Sequence, residues 1–314
     1  MRHLLESRYA SLLFLAVIVC GLPLILHPGY QIRVAALIWI SGIAAVGLHV
    51  LMGQAGQVSL GQTGFMGIGA YSVGLLPALL GIPSLAAAAI GVVAAGLIAY
   101  LVGRPLLRLQ GHYLAVATLG FGLIVALVLT SEVQLTGGPD GLRVPRLTIL
   151  STRIVSPANW YWIGGVGLLI AVALAIHLRE SPTGRALRAL QDSETAARTL
   201  GIDVAARKLQ AFIIAAIYAA TAGSMLALMN GFITPDVASF FSSVEYVAMV
   251  VIGGIASPIG AVVGATFLTV LPQVLAGFSE YEDLLIGLLI MLFMIFLRDG
   301  IVPSLAAIVA RRRS

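Results

Sequence analysis

Cysteine is almost absent from this chain: Cys20 stands alone, so neither an intrachain disulfide nor a cysteine zinc cluster can form. It lies in the apolar run after Val17, Ile18 and Val19, which suits a packing role. Charge is scarce as well. Asp, Glu, Lys and Arg together make up 10% of the residues, against about 25% in soluble domains. No G-x-x-x-x-G-K-[ST] loop occurs, so the chain cannot cradle ATP phosphates in that way. Its five histidines (His3, His27, His49, His112 and His177) are scattered, with no H-E-x-x-H pair and no metal-ligand spacing. An enzyme is not expected, and neither is a bound cofactor or metal. No A-x-A-like cleavage site follows the basic start and the apolar run Ser11 to Leu26, so that run reads as an uncleaved first span.

What the chain does have is apolar surface. Of 314 residues, 60% are hydrophobic, and the mean hydropathy is +1.04. At about 20 residues per membrane-spanning helix, that composition fills roughly nine or ten spans and leaves little for a soluble domain. A cytosolic enzyme, a disordered chain and a nucleic-acid binder are excluded, although the pI of 9.7 invites the last. The net charge of +5 instead reads as a topology signal, because Lys and Arg collect at the cytoplasmic ends of membrane helices.

Apolar runs between charges and Pro/Gly breaks mark ten segments, at 11–27, 34–52, 64–80, 84–102, 112–131, 160–178, 209–229, 243–256, 258–276 and 284–302. The expected fold is all-α, a polytopic transmembrane bundle of 8–10 segments with both termini cytoplasmic. That orientation puts fourteen of the eighteen basic residues inside, Arg298, Arg311, Arg312 and Arg313 among them, and only Arg33, Arg143, Arg146 and Arg153 outside. The pair 243–256 and 258–276 either spans twice or forms a re-entrant hairpin around Ser257-Pro258, and either choice keeps the parity. Glu132 and Glu245 fall at outer segment boundaries, where an interfacial position suits them. Residues 132–159 read as an external loop. The whole chain, 1–314, reads as one transmembrane domain.

The longest charged stretch, 179–208, is expected on the cytoplasmic side. Ser181-Pro182-Thr183-Gly184 breaks the preceding helix, and Arg185 to Leu200 reads as one short helix ended by Gly201. Leu187, Leu190, Ala197 and Leu200 fall near helical spacing, while Arg188, Asp192 and Glu194 can point elsewhere. Such a helix is too short to span; it is a solvated connection, or it docks into a partner's groove. The run Gly184 to Leu190, followed by Glu194-Thr195-Ala196-Ala197 and Gly201, resembles the coupling segment of ABC-importer permeases, in its branched-chain amino acid (LivM-like) form.

Other stretches carry the same resemblance in the same order. Gly53-Gln54-Ala55-Gly56-Gln57-Val58-Ser59-Leu60-Gly61-Gln62, continuing to Gly67-Ile68-Gly69-Ala70-Tyr71, has six glycines that permit a broken helix or close helix contacts. Its uncharged Gln and Ser residues can satisfy freed backbone groups or line a wet route. The run is similar to that family's G-x-x-S-L-G-x-x-x-F-x-G-I-G-A-Y signature, with Gln62 where many relatives carry His. Gly111 to Phe121 resembles the start of the family's fifth span. Thr136-Gly137-Gly138 with Gly141-Leu142 resembles its external T-G-G-x-x-G-L loop. Gly253-Gly254, Gly260 and Gly264-Ala265 resemble a late glycine element, with Ala256 and Ala261 where Gly and Pro are common.

The resemblance implies a permease subunit of an ATP-driven importer for branched-chain or other apolar amino acids, embedded in the bacterial inner membrane. The implied partners are cytoplasmic ATP-binding subunits, a second homologous permease subunit and an extracytoplasmic substrate-binding protein, within membrane lipid and without nucleic acid. Arg185, Arg188, Asp192, Glu194, Ala197 and Gly201 are the candidate ATPase-coupling residues. Gln54, Gln57, Ser59, Gln62 and Thr118 are the pathway candidates. A permease for urea or short amides is the alternative within the family. A stand-alone secondary transporter is disfavoured by the scarcity of intramembrane acids for ion coupling and by the docking-type segment.

Overall fold

The computed structural model describes residues 2–27, 29–109, 111–149, 152–275, 282–296 and 300–304. Arg298 and Arg311 to Arg313, counted above as inside charges, lie outside the described residues. The helices are α1 (Arg2–Ile25), α2 (Tyr30–His49), α3 (Gln62–Leu80), α4 (Ser84–Leu106), α5 (His112–Ser131), α6 (Val133–Thr136), α7 (Pro157–Glu180), α8 (Pro182–Asp192), α9 (Glu194–Thr199), α10 (Val204–Asn230), α11 (Phe240–Gly253), α12 (Pro258–Leu275) and α13 (Glu282–Phe296). Each expected apolar segment coincides with one of them. Among the described residues seven helices are long and apolar enough to cross a membrane: α2 with its continuation, α3, α4, α5, α7, α10 and α12.

Small residues decide what sits in the middle. Ala35, Ala36, Ala44 and Ala45 of α2 and Ala211, Ala215, Ala216 and Ala219 of α10 are all buried, and the two helices pack on each other. Where no hydrophobic drive separates helix from lipid, such residues let backbones approach closely. α10 packs on α2, α3 and α4, and α2 also packs on α7 and α12. Over its most apolar window α2 is 83% buried, against 22% for α4 and α5, so α4 and α5 form the perimeter.

α11 and α12 are held by backbone contact. A Cβ on Gly264 would lie 1.7 Å from the Met249 carbonyl oxygen, and one on Gly253 would lie 1.8 Å from that of Gly260. With 14 residues, α11 is about 21 Å long, short of the ~30 Å hydrocarbon core, and the chain turns back at 254–257 into α12.

The expected external loop carries structure of its own. β1 (Leu142–Arg143) pairs antiparallel with β4 (Phe232–Ile233), and β2 (Thr148–Ile149) pairs with β3 (Thr152–Arg153). The Thr136 hydroxyl lies 2.7 Å from the carbonyls of both Leu129 and Glu132, either of which can take its one hydrogen, and accepts from the Gly138 N–H at 3.2 Å. Thr136-Gly137-Gly138 thus seals the end of α5, and β1 joins this loop to the one after α10. α10 starts at the α8–α9 end of the molecule and finishes here, about 40 Å away by its 27 residues.

Candidate functional site

The α8–α9 segment is built from capping residues. The Ser181 hydroxyl donates to the Leu178 carbonyl at 2.6 Å and accepts from the Gly184 N–H at 3.1 Å, so one side chain both ends α7 and starts α8. Pro182 occupies the first turn, where its missing N–H costs nothing. A Cβ on Gly184 would lie 2.0 Å from the Leu178 carbonyl oxygen, so only glycine permits this corner.

The single helix expected from Arg185 to Leu200 is two helices. Ser193 is extended (φ −163°, ψ 115°) and its hydroxyl accepts from the Ala196 N–H, capping α9. Leu187, Leu190 and Ala197 are buried against the chain's own helices, whereas Leu200 is 77% exposed. Gly201, at φ +77°, closes the turn. Its N–H reaches the Arg198 carbonyl at 3.0 Å, and the Ile202 N–H reaches that of Ala197 at 3.1 Å. Asp203 then caps α10 by accepting from the Ala206 N–H at 3.0 Å. The Arg185 guanidinium holds the Glu180 carbonyl at 3.0 Å. Arg188 and Glu194 are half-buried, and Asp192 is exposed.

One ion pair fastens α9 to the membrane bundle. Lys208, the only lysine in the chain, is buried at the start of α10 and donates to Glu194. Arg198 approaches the same carboxylate at 3.9 Å.

The second site is the break between α2 and α3. Helix α2 runs on through a π-helical turn, Val50–Gln54, and the chain then climbs irregularly to Gln62. Such irregular backbone survives at membrane depth only where protein or a wet cavity covers it. Here the Leu60 N–H finds the Thr118 hydroxyl at 3.1 Å, and the Gly61 N–H finds that of Ser59 at 3.4 Å. The Gln62 amide donates to the Ala215 carbonyl at 3.1 Å, and that of Gln54 donates to the Ala175 carbonyl at 3.4 Å. All five pathway candidates are buried. Gln62 and Thr118 are thereby given bracing contacts, while both amide atoms of Gln57 and the Gln54 carbonyl oxygen lack a partner among the described residues.

The two sites touch. A Cβ on Gly56 would lie 3.3 Å from the Gln191 side chain of α8, and α8 also packs on the π-helical turn. On another side of that turn, a Cβ on Gly53 would lie 2.3 Å from the Ile255 carbonyl oxygen in the α11–α12 turn. Arg179 at the end of α7 donates to the neighbouring Ala256 carbonyl at 3.2 Å. Sequence reasoning missed two residues here, Lys208 and His49. The His49 ring is buried beside Gly53, next to the Ile255 backbone. A lone histidine in an apolar helix carries no spacing signal that marks it.

Residues 30–294 fit the model of the branched-chain amino acid transport system / permease component. The chain belongs to that family. It is 32% identical over 316 residues to the high-affinity branched-chain amino acid transport system permease protein LivM of Escherichia coli, covering 93% of this permease and 74% of that protein. It is 30% identical over 189 residues to LivH of Salmonella typhimurium, covering 56% of this chain and 60% of that one. An autoinducer 2 import system permease protein, LsrC of Photorhabdus laumondii, is 29% identical over 206 residues, covering 62% and 58%. The family match spans every helix from α2 into α13 and includes both sites.

Proposed function

We propose that this permease is the membrane subunit of an ATP-driven importer that carries branched-chain or other apolar amino acids into the bacterial cytoplasm. Residues 1–314 act as one permease domain, with 179–208 as its coupling segment on the cytoplasmic face. Separate ATP-binding subunits hydrolyse ATP there. A second, homologous permease subunit completes the pathway, and an extracytoplasmic binding protein delivers the substrate.

The observation that carries the reading is Leu200: a large apolar side chain left 77% exposed at the C-terminal cap of α9, while Ala197 of α9 and Leu187 and Leu190 of α8 are buried. Ser193, Gly201 and the Glu194–Lys208 pair fix its position, which is what a docking knob requires. Arg185, Arg188 and Asp192 set the register around it, and Ala197 seats α9 on the bundle. Displacement of α8 by the docked subunit would press Gln191 against Gly56 and so move the α2–α3 break, where Gln54, Gln57 and Ser59 lie. Gln62 and Thr118 hold the upper rim of that break. The high-affinity branched-chain amino acid system named for LivM supports the substrate class.

Co-purification tests this. Leu200→Glu is expected to leave the amount of folded permease in the membrane unchanged while the co-purifying ATP-binding subunits fall at least roughly fivefold, as for loss of an interface hot spot. Undiminished co-purification would refute the docking role.

A further inference from the structure

A cavity of about 610 Å³ opens beside the coupling segment, between the C-terminal end of α4 and the start of α10. Four of its lining residues are cations, Arg104, Arg108, Arg198 and Lys208, and none is acidic. Glu194, from outside the lining, engages Lys208 and approaches Arg198. Three positive charges therefore remain in excess. Arg104 lies over the Tyr100 ring, 4.4 Å from its centroid. Neither Arg104 nor Arg108 has a carboxylate within ion-pairing distance among the described residues. The first turn of α10, Val204 to Ala206, also faces the cavity, its helix-start charge being offset by the Asp203 cap. Asp203, which caps that turn, does not line the cavity.

An exposed apolar stripe lies on α4 N-terminal to the cavity. Val93, Leu97 and Leu101 are 70%, 58% and 59% exposed on the perimeter helix α4. At spacings of three and four residues they run along one helical face to Arg104, and Arg108 follows in the turn just past the end of α4. An apolar track leading into a basic pocket at a helix end has the shape of a phospholipid: acyl chain along the track, phosphate among the guanidinium groups.

We propose that this cavity binds the phosphate headgroup of an anionic membrane phospholipid, with an acyl chain laid along Val93, Leu97 and Leu101. Free phosphate shares the headgroup chemistry but has no use for the apolar track. The proposal needs only the membrane setting and not the docking of ATP-binding subunits. Its failure would leave the docking reading standing, and failure of co-purification would leave this site standing.

The test is native mass spectrometry of the full-length permease after reconstitution in mixed phosphatidylglycerol and phosphatidylcholine nanodiscs. Wild-type chain is expected to retain phosphatidylglycerol selectively, and R104Q/R108Q is expected to lower that retention on the order of twentyfold. R104K/R108K should keep most of it, and R143Q, at the opposite end of the bundle, should change nothing. Equal retention by wild type and R104Q/R108Q would overturn the proposal. So would saturable binding of inorganic phosphate to permease in pure phosphatidylcholine nanodiscs, abolished by R104Q/R108Q, together with lipid retention that the same variant leaves unchanged. If R104Q/R108Q does not fold, R108Q alone should still reduce retention severalfold, and unchanged retention there would equally overturn the site.

Discussion

Lys208, buried at the start of α10, donates to the carboxylate of Glu194 at the start of α9. The pair ties a short helix outside the bundle to the helix at its centre. It is also asymmetric: the lysine side chain is 5% exposed and the glutamate 36%.

That asymmetry predicts unequal outcomes for the two deletions. Glu194→Ala leaves a buried ammonium without its partner and should destabilise the folded chain by about 1–3 kcal/mol. Lys208→Met removes the buried charge and leaves a carboxylate that water can reach, so its cost should be smaller. The double variant should regain most of the loss from Glu194→Ala, because the unpaired charge is gone. Thermal unfolding of the detergent-solubilised permease checks all three. Equal and additive losses would contradict the pairing.

Gly201 adopts φ +77°, whereas proline is fixed near −65°. Gly201→Pro would also remove the N–H that reaches Arg198. It should disorder the end of α9 and abolish ATPase-coupled uptake while the membrane bundle stays folded. Nothing lies within 4 Å of an added Cβ at this position, so Gly201→Ala should cost only about 1–2 kcal/mol of backbone strain and keep partial uptake. Unchanged uptake by Gly201→Pro would argue against the coupling role.

The spans were legible because long apolar runs broken by Gly, Pro and charge leave few alternatives, and each of the ten runs became a helix. The corner at Ser181 to Gly184 was legible for the same local reason. The break at Ser193 was not: the apolar positions on either side keep helical spacing, and a serine followed by Glu194 signals a new helix start only weakly. Helical spacing also grouped Leu200 with Leu187, Leu190 and Ala197, yet the break turns Leu200 outward while the others pack inward. Lys208 looked like one more loop charge, since its partner lies fourteen residues back across two turns. Arg104 and Arg108 were legible as charges on the inner side; that they meet Arg198 and Lys208 around one cavity follows from the packing of α4 on α10. No local pattern encodes that packing.

Gln57 offers a way to separate structural from functional use of the α2–α3 break. Both of its amide atoms are buried without a partner among the described residues. Such groups cost about 1–3 kcal/mol each when left unmade, so Gln57→Leu should be neutral or stabilising in thermal unfolding. If Gln57 serves the pathway, the same variant should lose substrate uptake. A variant that is both destabilised and fully active would contradict both parts.

The α11–α12 contact leaves no room for side chains. Gly264→Ala would place its methyl group 1.7 Å from the Met249 carbonyl oxygen, which is backbone and cannot swing aside. The expected cost is about 3 kcal/mol or more, at the upper end for overpacked sites. It should appear as a sharp drop in the folded, membrane-extracted fraction on size exclusion. Gly287→Ala, with nothing within 4 Å of an added Cβ, is the matched control and should behave as wild type.

The coupling account rests on where Leu200 faces and what covers it. With Cys20 replaced by serine, Leu200→Cys supplies the only thiol in the chain, and a membrane-impermeant maleimide reads its position. The account predicts no labelling in intact cells and strong labelling in inverted membrane vesicles, suppressed when the ATP-binding subunits are added back. Labelling in intact cells, or labelling in inverted vesicles that the ATP-binding subunits leave unchanged, would contradict it.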